Sequence, residues 1–252
     1  MALNPRLLYP DRSELRQFEA RLREFLKVDI CAKVIDYHDG VVSYLTESVI
    51  PTKRDSRPSI LLLFGNPAPE SVERNCFFAG EKNRREHRFW RALRESGIMS
   101  FDEGACDTDA SRTRALFDLT YTSPFRVGFA VFYSMPSPAS DHKWSGVAGL
   151  RRLFGARALR EIAECEKRRV EGLIREFKLS QPRSAVVAFQ KDAHLGVKGS
   201  DCSEKVILTE KKLYVVESRC LHSDLKLFRL PATRYMVASC YVRREVAELC
   251  MR

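Results

Sequence analysis

The sequence predicts an α/β fold, specifically a three-layer α/β/α sandwich around a mainly parallel four-stranded sheet. Two observations carry this prediction. Short apolar segments alternate along the chain with longer segments in which apolar residues recur at helical spacing, which is the pattern of βα units. The 252 residues also have a hydrophobic content of 44%, which suffices for one substantial core.

The clearest strand is the run from Ser59 to Phe64, because its apolar residues are not interrupted by polar ones. A short and uniformly apolar run is typical of a strand that is buried on both faces of a sheet. Three further segments have strand composition, and residues 206–208 and 213–216 form a hairpin between the last two. The four predicted strands are residues 59–65, 127–133, 185–189 and 226–230.

Helices are predicted where apolar residues form one stripe. In the N-terminal helix, Asp11 and Glu14 have the spacing of a capping box, and Leu15, Phe18 and Leu22 lie on one face. The other helices show the same periodicity, and they alternate with the strands. The predicted helices are residues 11–27, 86–96, 111–119, 156–178 and 236–250.

The polar, turn-rich segment from Pro51 to Pro58 divides the chain. We therefore expect an N-terminal helical extension over residues 1–49 and an α/β domain over residues 50–252. No apolar segment approaches the ~20 residues that cross a bilayer, and the first residues lack the apolar core of a signal peptide. The protein is expected to be a monomer in the cytoplasm, without contact to a membrane.

The charge balance favours a polyanionic partner. The net charge is +10, with 43 Lys and Arg residues against 33 Asp and Glu residues. Such a surface attracts nucleic acid without requiring it. The eight cysteines contain no pair at the spacing of about two to four residues that zinc fingers and ribbons use. We therefore expect neither a metal site nor a cofactor.

Three of the predicted strands end in loops that contain proline, namely residues 66–69, 135–138 and 231–235. The carboxyl ends of parallel strands share one edge of the sheet, and α/β proteins bind their ligands there. Gly65 and the prolines prevent both a longer strand and an immediate helix after the first strand. Asn66 is therefore expected on a stiff loop at this edge.

This region resembles the uracil-DNA glycosylase superfamily, especially its mismatch-specific and single-strand-selective branches. The resemblance spans about residues 49–240 and is strongest at Asn66-Pro67, at Phe78 twelve positions later, and at the Arg88-Phe89-Trp90 segment. Those branches have a Gly-x-Asn-Pro loop, an aromatic residue and an Arg-Phe-Trp segment in the same order. The residues from Leu230 to Thr233 correspond to the second, Pro-Ser or Pro-Thr loop of the superfamily.

The resemblance implies a metal-free, monofunctional DNA glycosylase that removes uracil or a related deaminated base in base excision repair. Breaking an N-glycosidic bond develops positive charge on the sugar and negative charge on the base. Asn66 would hold the attacking water through its amide oxygen. The backbone N–H groups of Ala68 and Ser71 would contact the base, since proline has none. No lysine accompanies Asn66 in the motif to form a Schiff base.

Phe78 has two open interpretations. It stacks on a base rotated out of the DNA, or it anchors the loop in the core together with Phe77. Phe89 and Trp90 are assigned to the core, because they continue into the apolar stripe of the following helix with Leu93.

The second loop also has two interpretations. Thr233, Arg234 and Tyr235 are expected to enter the minor groove, where Arg234 or Tyr235 fills the space of the extruded base. Alternatively, Thr233 caps the last predicted helix.

Residues after two further strands are predicted to contact DNA. Ser137, with Ser140 and His142, follows the second strand and lines the rim, unless residues 135–138 form only a rigid turn. Lys191 follows the third strand and is a candidate for a phosphate contact.

The sequence departs from the family at two places. Phe64 stands two residues before Asn66, where the family has a small glycine, and the second loop has no histidine to stabilise the leaving base. These departures keep a catalytically silent DNA-binding relative open as a second hypothesis. A hydrolase of free nucleosides or nucleotides, which would use the same pocket without a duplex, is the third.

Overall fold

The structure is a computed structural model. It describes residues 1–79, 86–95, 97–102, 108–138, 142–177, 184–199, 202–208, 214–220 and 225–229. The helices are α1 (Pro5–Leu8), α2 (Arg12–Leu26), α3 (Asp29–Ala32), α4 (Pro69–Glu73), α5 (Arg88–Glu95), α6 (Asp109–Asp118), α7 (Gly146–Phe154), α8 (Ala156–Phe177) and α9 (Lys191–Val197). The strands are β1 (Ala2–Leu3), β2 (Ile35–His38), β3 (Val41–Tyr44), β4 (Ser48–Val49), β5 (Ser59–Phe64), β6 (Arg126–Val131), β7 (Ala185–Ala188), β8 (Lys205–Leu208), β9 (Tyr214–Arg219) and β10 (Lys226–Arg229).

The central sheet has seven strands in the order β4-β6-β5-β7-β10-β9-β8. The four inner strands β6, β5, β7 and β10 run parallel, and the other three pair antiparallel at the edges. The predicted α/β class is confirmed, and the four predicted strands form the parallel part. The sheet is larger than predicted because β4 extends one edge and the hairpin of β8 and β9 extends the other.

The order of the parallel strands determines where a ligand can approach. From β5 the chain continues to β6 on one side, and it later returns to β7 on the other side of β5. Connections that leave in opposite directions open a crevice at the carboxyl ends of the strands. The crevice therefore lies between the ends of β5 and β7.

Apolar cores cover both faces of the sheet. Every residue of β5 is buried, and its side chains alternate between two core clusters: Leu61 and Leu63 belong to one, and Leu62 and Phe64 to the other. The first cluster includes residues of α2, α7, α8 and α9. The second, which we call the aromatic cluster, includes residues of α5 and α6 and the rings of Phe64, Phe77, Phe89, Trp90, Phe125, Phe129, Phe189 and Phe228.

Residues 1–49 contain strands as well as helices. Strands β1, β3 and β2 form a small antiparallel sheet, and β4 joins the central sheet beside β6. The turn between β2 and β3 is Asp39-Gly40, with φ of 51° and 77°, the left-handed conformation of a two-residue hairpin turn. At the start of α2, Asp11 accepts hydrogen bonds from the N–H groups of Ser13 and Glu14, so the predicted helix start is confirmed.

The longer predicted helices also agree with the structure, since α2, α5, α6 and α8 match the predicted ranges within a few residues. Helices α7 and α9 were not predicted. The predicted helix at 236–250 lies outside the described residues. In the described ranges, no helix is both long and apolar enough to cross a membrane.

Candidate functional site

The candidate site lies at the carboxyl end of β5, which borders the crevice, and the loop after the neighbouring strand β6 supports it. Asn66 follows β5, and its Nδ2 donates to the carbonyl oxygen of Pro67 over 3.1 Å and to Oγ of Ser137 over 2.8 Å. A carbonyl oxygen only accepts, so the amide nitrogen must face Pro67. The orientation of the amide is therefore fixed. Within the described part of the chain, no residue donates to Oδ1 of Asn66.

Ser137 holds the side chain of Asn66 in place through a hydrogen bond. It is 2% exposed, its N–H donates to the carbonyl of Pro67 over 3.1 Å, and its hydroxyl donates to the carbonyl of Gly146 over 3.1 Å. Since the hydroxyl proton is used on Gly146, a lone pair faces Asn66 and accepts its N–H. The predicted contact of Ser137 with DNA is corrected: a side chain this buried does not reach a phosphate, and it positions Asn66 instead.

The end of β7 closes the other side of the crevice. A Cβ atom placed on Gly65 would lie 3.2 Å from Cγ2 of Val147 and 3.3 Å from Cγ of Gln190, so the backbone approaches both residues closely. Gln190 caps α9 by accepting the N–H of Ala193 over 3.1 Å. No motif in the sequence singles out Gln190, but its position at the strand end next to Gly65 does. Lys191 begins α9 and is exposed at the same edge.

The backbone N–H groups of Ala68 and Ser71 were both predicted to contact the base, but only one of them is available to do so. Ala68 is the N-cap of α4, and its carbonyl accepts from the N–H groups of Ser71 and Val72 over 3.1 and 3.2 Å. The Ser71 N–H is thus used inside the helix and the residue is only 6% exposed, so the predicted base contact by Ser71 is corrected. The N–H of Ala68 donates to no residue in the described ranges.

Phe78 is half-buried and lies on the aromatic cluster. The ring of Phe89 covers one of its faces at a centroid distance of 3.9 Å, and Phe64 meets it edge-on at 5.0 Å. Its φ is 51°, an uncommon value for a bulky residue, and its carbonyl accepts from Nε1 of Trp90 over 3.0 Å. Phe77, by contrast, is 2% exposed and belongs to the core. The Phe78 ring packs against the edge of that core and not within it.

Phe89 and Trp90 are each 2% exposed, so their assignment to the core is confirmed. Phe64, which replaces the small glycine expected from the resemblance, is the centre of the cluster. Its ring stacks on Phe189 at 5.0 Å and contacts Phe89 at 5.5 Å. The large side chain of Phe64 therefore packs directly against the ring of Phe78.

A buried ion pair holds the loop that carries Ser137. Glu166 of α8 is 5% exposed, and its Oε1 accepts from both the N–H (2.7 Å) and the hydroxyl of Ser134. Arg169 donates to Oε2 of Glu166 over 2.5 Å and to the carbonyl oxygens of Val131 and Phe132 over 2.5 and 2.8 Å. These bonds tie α8 to the carboxyl end of β6 and to Ser134, which lies three residues before Ser137.

Tyr44 completes this network. Its hydroxyl lies 3.0 Å from Oγ of Ser134, and since that oxygen donates to Glu166, the tyrosine is the donor. Burial raises the pKa of Tyr44, so its hydroxyl keeps its proton at neutral pH. None of these four residues stood out in the sequence, because a Glu and an Arg three positions apart usually form an exposed pair on a helix.

Other predicted contacts are not brought to this site. His142 is exposed, and its Nδ1 accepts the N–H of Trp144 over 3.2 Å. Ser140, Thr233, Arg234 and Tyr235 lie outside the described residues, as does the third proline loop. In the ranges that the structure describes, no group of three or more His, Cys, Asp or Glu side chains is arranged to hold a metal ion.

No protein-family model matches the chain, and no curated protein matches it.

Proposed function

We propose that the protein is a monofunctional DNA glycosylase that hydrolyses the N-glycosidic bond of uracil or a related deaminated base. The observation that carries the proposal is the fixed amide of Asn66, whose nitrogen is held by Pro67 and Ser137 while its oxygen has no donor in the described ranges. An acceptor with a single allowed orientation, at the carboxyl edge of a parallel sheet, suits the task of holding one water.

In the proposed reaction, Oδ1 of Asn66 accepts a hydrogen bond from a water and directs its oxygen to the anomeric carbon of the sugar. The bond from that carbon to the base nitrogen breaks as the water oxygen bonds to the carbon, and the water proton ends on the departing base. Asn66 is a weak base, so its contribution is orientation rather than proton removal. The N–H of Ala68 is the donor proposed for the oxygen of the departing base.

Phe78 is proposed to hold the base. Phe89 stacks on one face of the Phe78 ring, and the ring of His87 lies 5.2 Å from it at an angle of 36°. An extruded base would stack on the exposed part of the Phe78 ring, beside His87. Base–aromatic stacking of this kind contributes about 1 to 3 kcal/mol per base. A half-buried ring on a strained backbone fits this role better than that of a simple core anchor, because a core anchor such as Phe77 needs no unusual φ.

The proposed partner is DNA, and the net charge of +10 supports a polyanionic substrate. Lys191, exposed at the same edge, is the proposed phosphate contact. We also propose that the protein is a cytoplasmic monomer with the three-layer α/β/α arrangement of the superfamily. Residues 233–235 are proposed to enter the minor groove of the DNA.

The experiment that tests the function compares three substrates: an oligonucleotide with one uracil, the same oligonucleotide with thymine, and free deoxyuridine. A DNA glycosylase releases uracil from the first only. Release from deoxyuridine at a comparable rate identifies a nucleoside hydrolase, and salt-dependent DNA binding without release identifies a silent relative.

A further inference from the structure

Glu47 is a buried carboxyl group whose Oε2 has no partner among the described residues. It immediately precedes β4 and is 8% exposed, and its Oε2 is shielded from solvent with no hydrogen bond to any residue in those ranges. A buried polar atom that is left unsatisfied costs about 1 to 3 kcal/mol. Native proteins satisfy the great majority of such atoms, so an exception calls for an explanation.

The strand register places Glu47 at the same edge of the sheet as Asn66. Strand β4 runs antiparallel to β6, with Ser48 opposite Ala130 and Val49 opposite Phe129. Glu47 therefore lies at the level of Val131, at the carboxyl end of β6. On its other side, Val131 pairs with Phe64, the residue two positions before Asn66.

Glu47 also lies on the face that carries Phe78. Alternate residues of a strand share one face, and Val49, two positions after Glu47, belongs to the aromatic cluster. Glu47 lies close enough to Cys76 to contribute to its electrostatic surroundings. Cys76 and Phe77 lead directly into Phe78, so the carboxyl group is beside the segment that presents the proposed stacking ring.

We propose that Glu47 recognises the base: its neutral carboxyl group donates one hydrogen bond to a carbonyl oxygen of the extruded base and accepts one from the adjacent ring N–H. This inference rests on the proposed glycosylase function. Uracil, hypoxanthine and xanthine each have a C=O group next to a ring N–H group on one edge of the base. A protonated carboxyl group has the complementary donor and acceptor in one plane.

The protonation state follows from the surroundings of Glu47. Burial raises the pKa of Glu47 to about 8, and no charge of the described residues acts as a counter-ion. The thiol of Cys76 is itself neutral, because burial raises its pKa to about 11. On α6, which packs against β4, Asp109 pairs with Arg112 and with Arg74 over 3.4 and 3.5 Å. Glu47 therefore keeps its proton at pH 7.

Two variants test the proposal. Glu47→Leu removes both hydrogen-bonding atoms at similar volume, and Glu47→Gln keeps a donor and an acceptor but cannot ionise. The measurements are uracil release from an oligonucleotide and the ratio of its affinity to that of the same oligonucleotide with cytosine, which has no ring N–H beside its carbonyl oxygen. Urea unfolding reports stability, and Glu161→Leu, at an exposed position of α8, is the control.

We expect Glu47→Leu to lower kcat/KM at least about tenfold, the equivalent of one hydrogen bond, without loss of stability. Glu47→Gln should retain release at pH 7 and, unlike the wild type, also at pH 9. Wild-type release and wild-type affinity ratio in Glu47→Leu would overturn the proposal. If Glu47→Leu fails to fold, the pH profiles of uracil release by the wild type and by Glu47→Gln decide. A loss of release at alkaline pH that is also seen in Glu47→Gln contradicts the role of Glu47.

The outcomes also separate the two proposals. Base release that is independent of Glu47 overturns the role of Glu47 alone. Selective binding of the uracil oligonucleotide without release, lost in Glu47→Leu, overturns hydrolysis and supports recognition. A wild type that neither releases uracil nor discriminates against cytosine overturns both.

Discussion

Nδ2 of Asn66 donates to Oγ of Ser137 over 2.8 Å, and this bond connects the ends of two neighbouring parallel strands. Because the amide nitrogen is used on Ser137 and Pro67, the amide oxygen is held in one orientation. The active geometry that we propose therefore depends on Ser137 as much as on Asn66 itself, although Ser137 touches no substrate.

Replacing Ser137 with alanine should lower kcat for uracil release about tenfold with little change in KM. The substitution removes one hydrogen bond to Asn66, which is worth about 1 kcal/mol, and lets the amide rotate. Steady-state kinetics on a uracil oligonucleotide measure both constants. Ser123→Ala is the matched control, since the hydroxyl of Ser123 also bonds a backbone carbonyl, that of Ile98, but at the opposite end of β6. Equal kcat in Ser137→Ala and wild type would contradict the positioning role.

The Glu166→Gln substitution should reduce the free energy of unfolding by about 3 kcal/mol. It leaves Arg169 without the carboxylate that balances its charge, and breaking one side of a buried ion pair is strongly destabilising. Urea unfolding with Glu164→Gln as the control, an exposed position of the same helix, measures the difference. A loss no larger than that of the control would show that the pair does not hold the Ser137 loop.

The raised pKa of Glu47 predicts a dependence of stability on pH. Burial raises this pKa from its ordinary 4.5 to about 8, so between these values the folded protein binds a proton that the unfolded chain has released. The stabilising effect of the proton is complete below pH 4.5 and is lost as pH rises to about 8, with a slope approaching about 1 kcal/mol per pH unit. In Glu47→Gln this slope should disappear, so that the variant gains stability relative to the wild type at pH 8 but not at pH 4.

Thermal or urea unfolding of both proteins from pH 4 to pH 9 measures this dependence. Parallel stability curves over the whole range would mean that Glu47 ionises normally, and its recognition role would then lose its support.

Phe78→Ala should raise KM for the uracil oligonucleotide about tenfold, because one base–aromatic stack contributes about 1 to 3 kcal/mol. Phe117→Ala is the control, since Phe117 is 41% exposed on α6 and is not part of the aromatic cluster. Both variants are compared by kinetics and by anisotropy of a labelled oligonucleotide. Unchanged KM and affinity in Phe78→Ala would assign Phe78 to packing alone.

Most of the parallel part of the sheet was predictable because β5, β6 and β7 are almost entirely apolar and buried along their whole length, which leaves a strong local pattern. Strand β4 has only two residues and shows no such pattern. The hairpin of β2 and β3 could have been predicted, since Asp39-Gly40 is a strong signal for a two-residue turn. Helix α9 was missed because it has seven residues, too few for the helical period to stand out.

The candidate site was predicted only in part. Asn66 followed from the strand end and the prolines. Its support by Ser137 did not, because the contact joins residues 71 positions apart and depends on the register of β5 and β6. Ser71 was selected as a donor because proline has no N–H, but the short helix α4 uses that donor itself. Glu47 could not be selected from the sequence, since nothing local shows that its carboxyl group lies buried without a partner.

The most direct test of the account is uracil release by Asn66→Ala. We expect release from a uracil oligonucleotide to fall at least about a hundredfold, the loss typical of one positioned polar group in an active site, with unchanged affinity for the DNA. Asn4→Ala, at an exposed asparagine that caps α1, should release uracil at the wild-type rate. Equal rates of release by Asn66→Ala and the wild type would contradict the account.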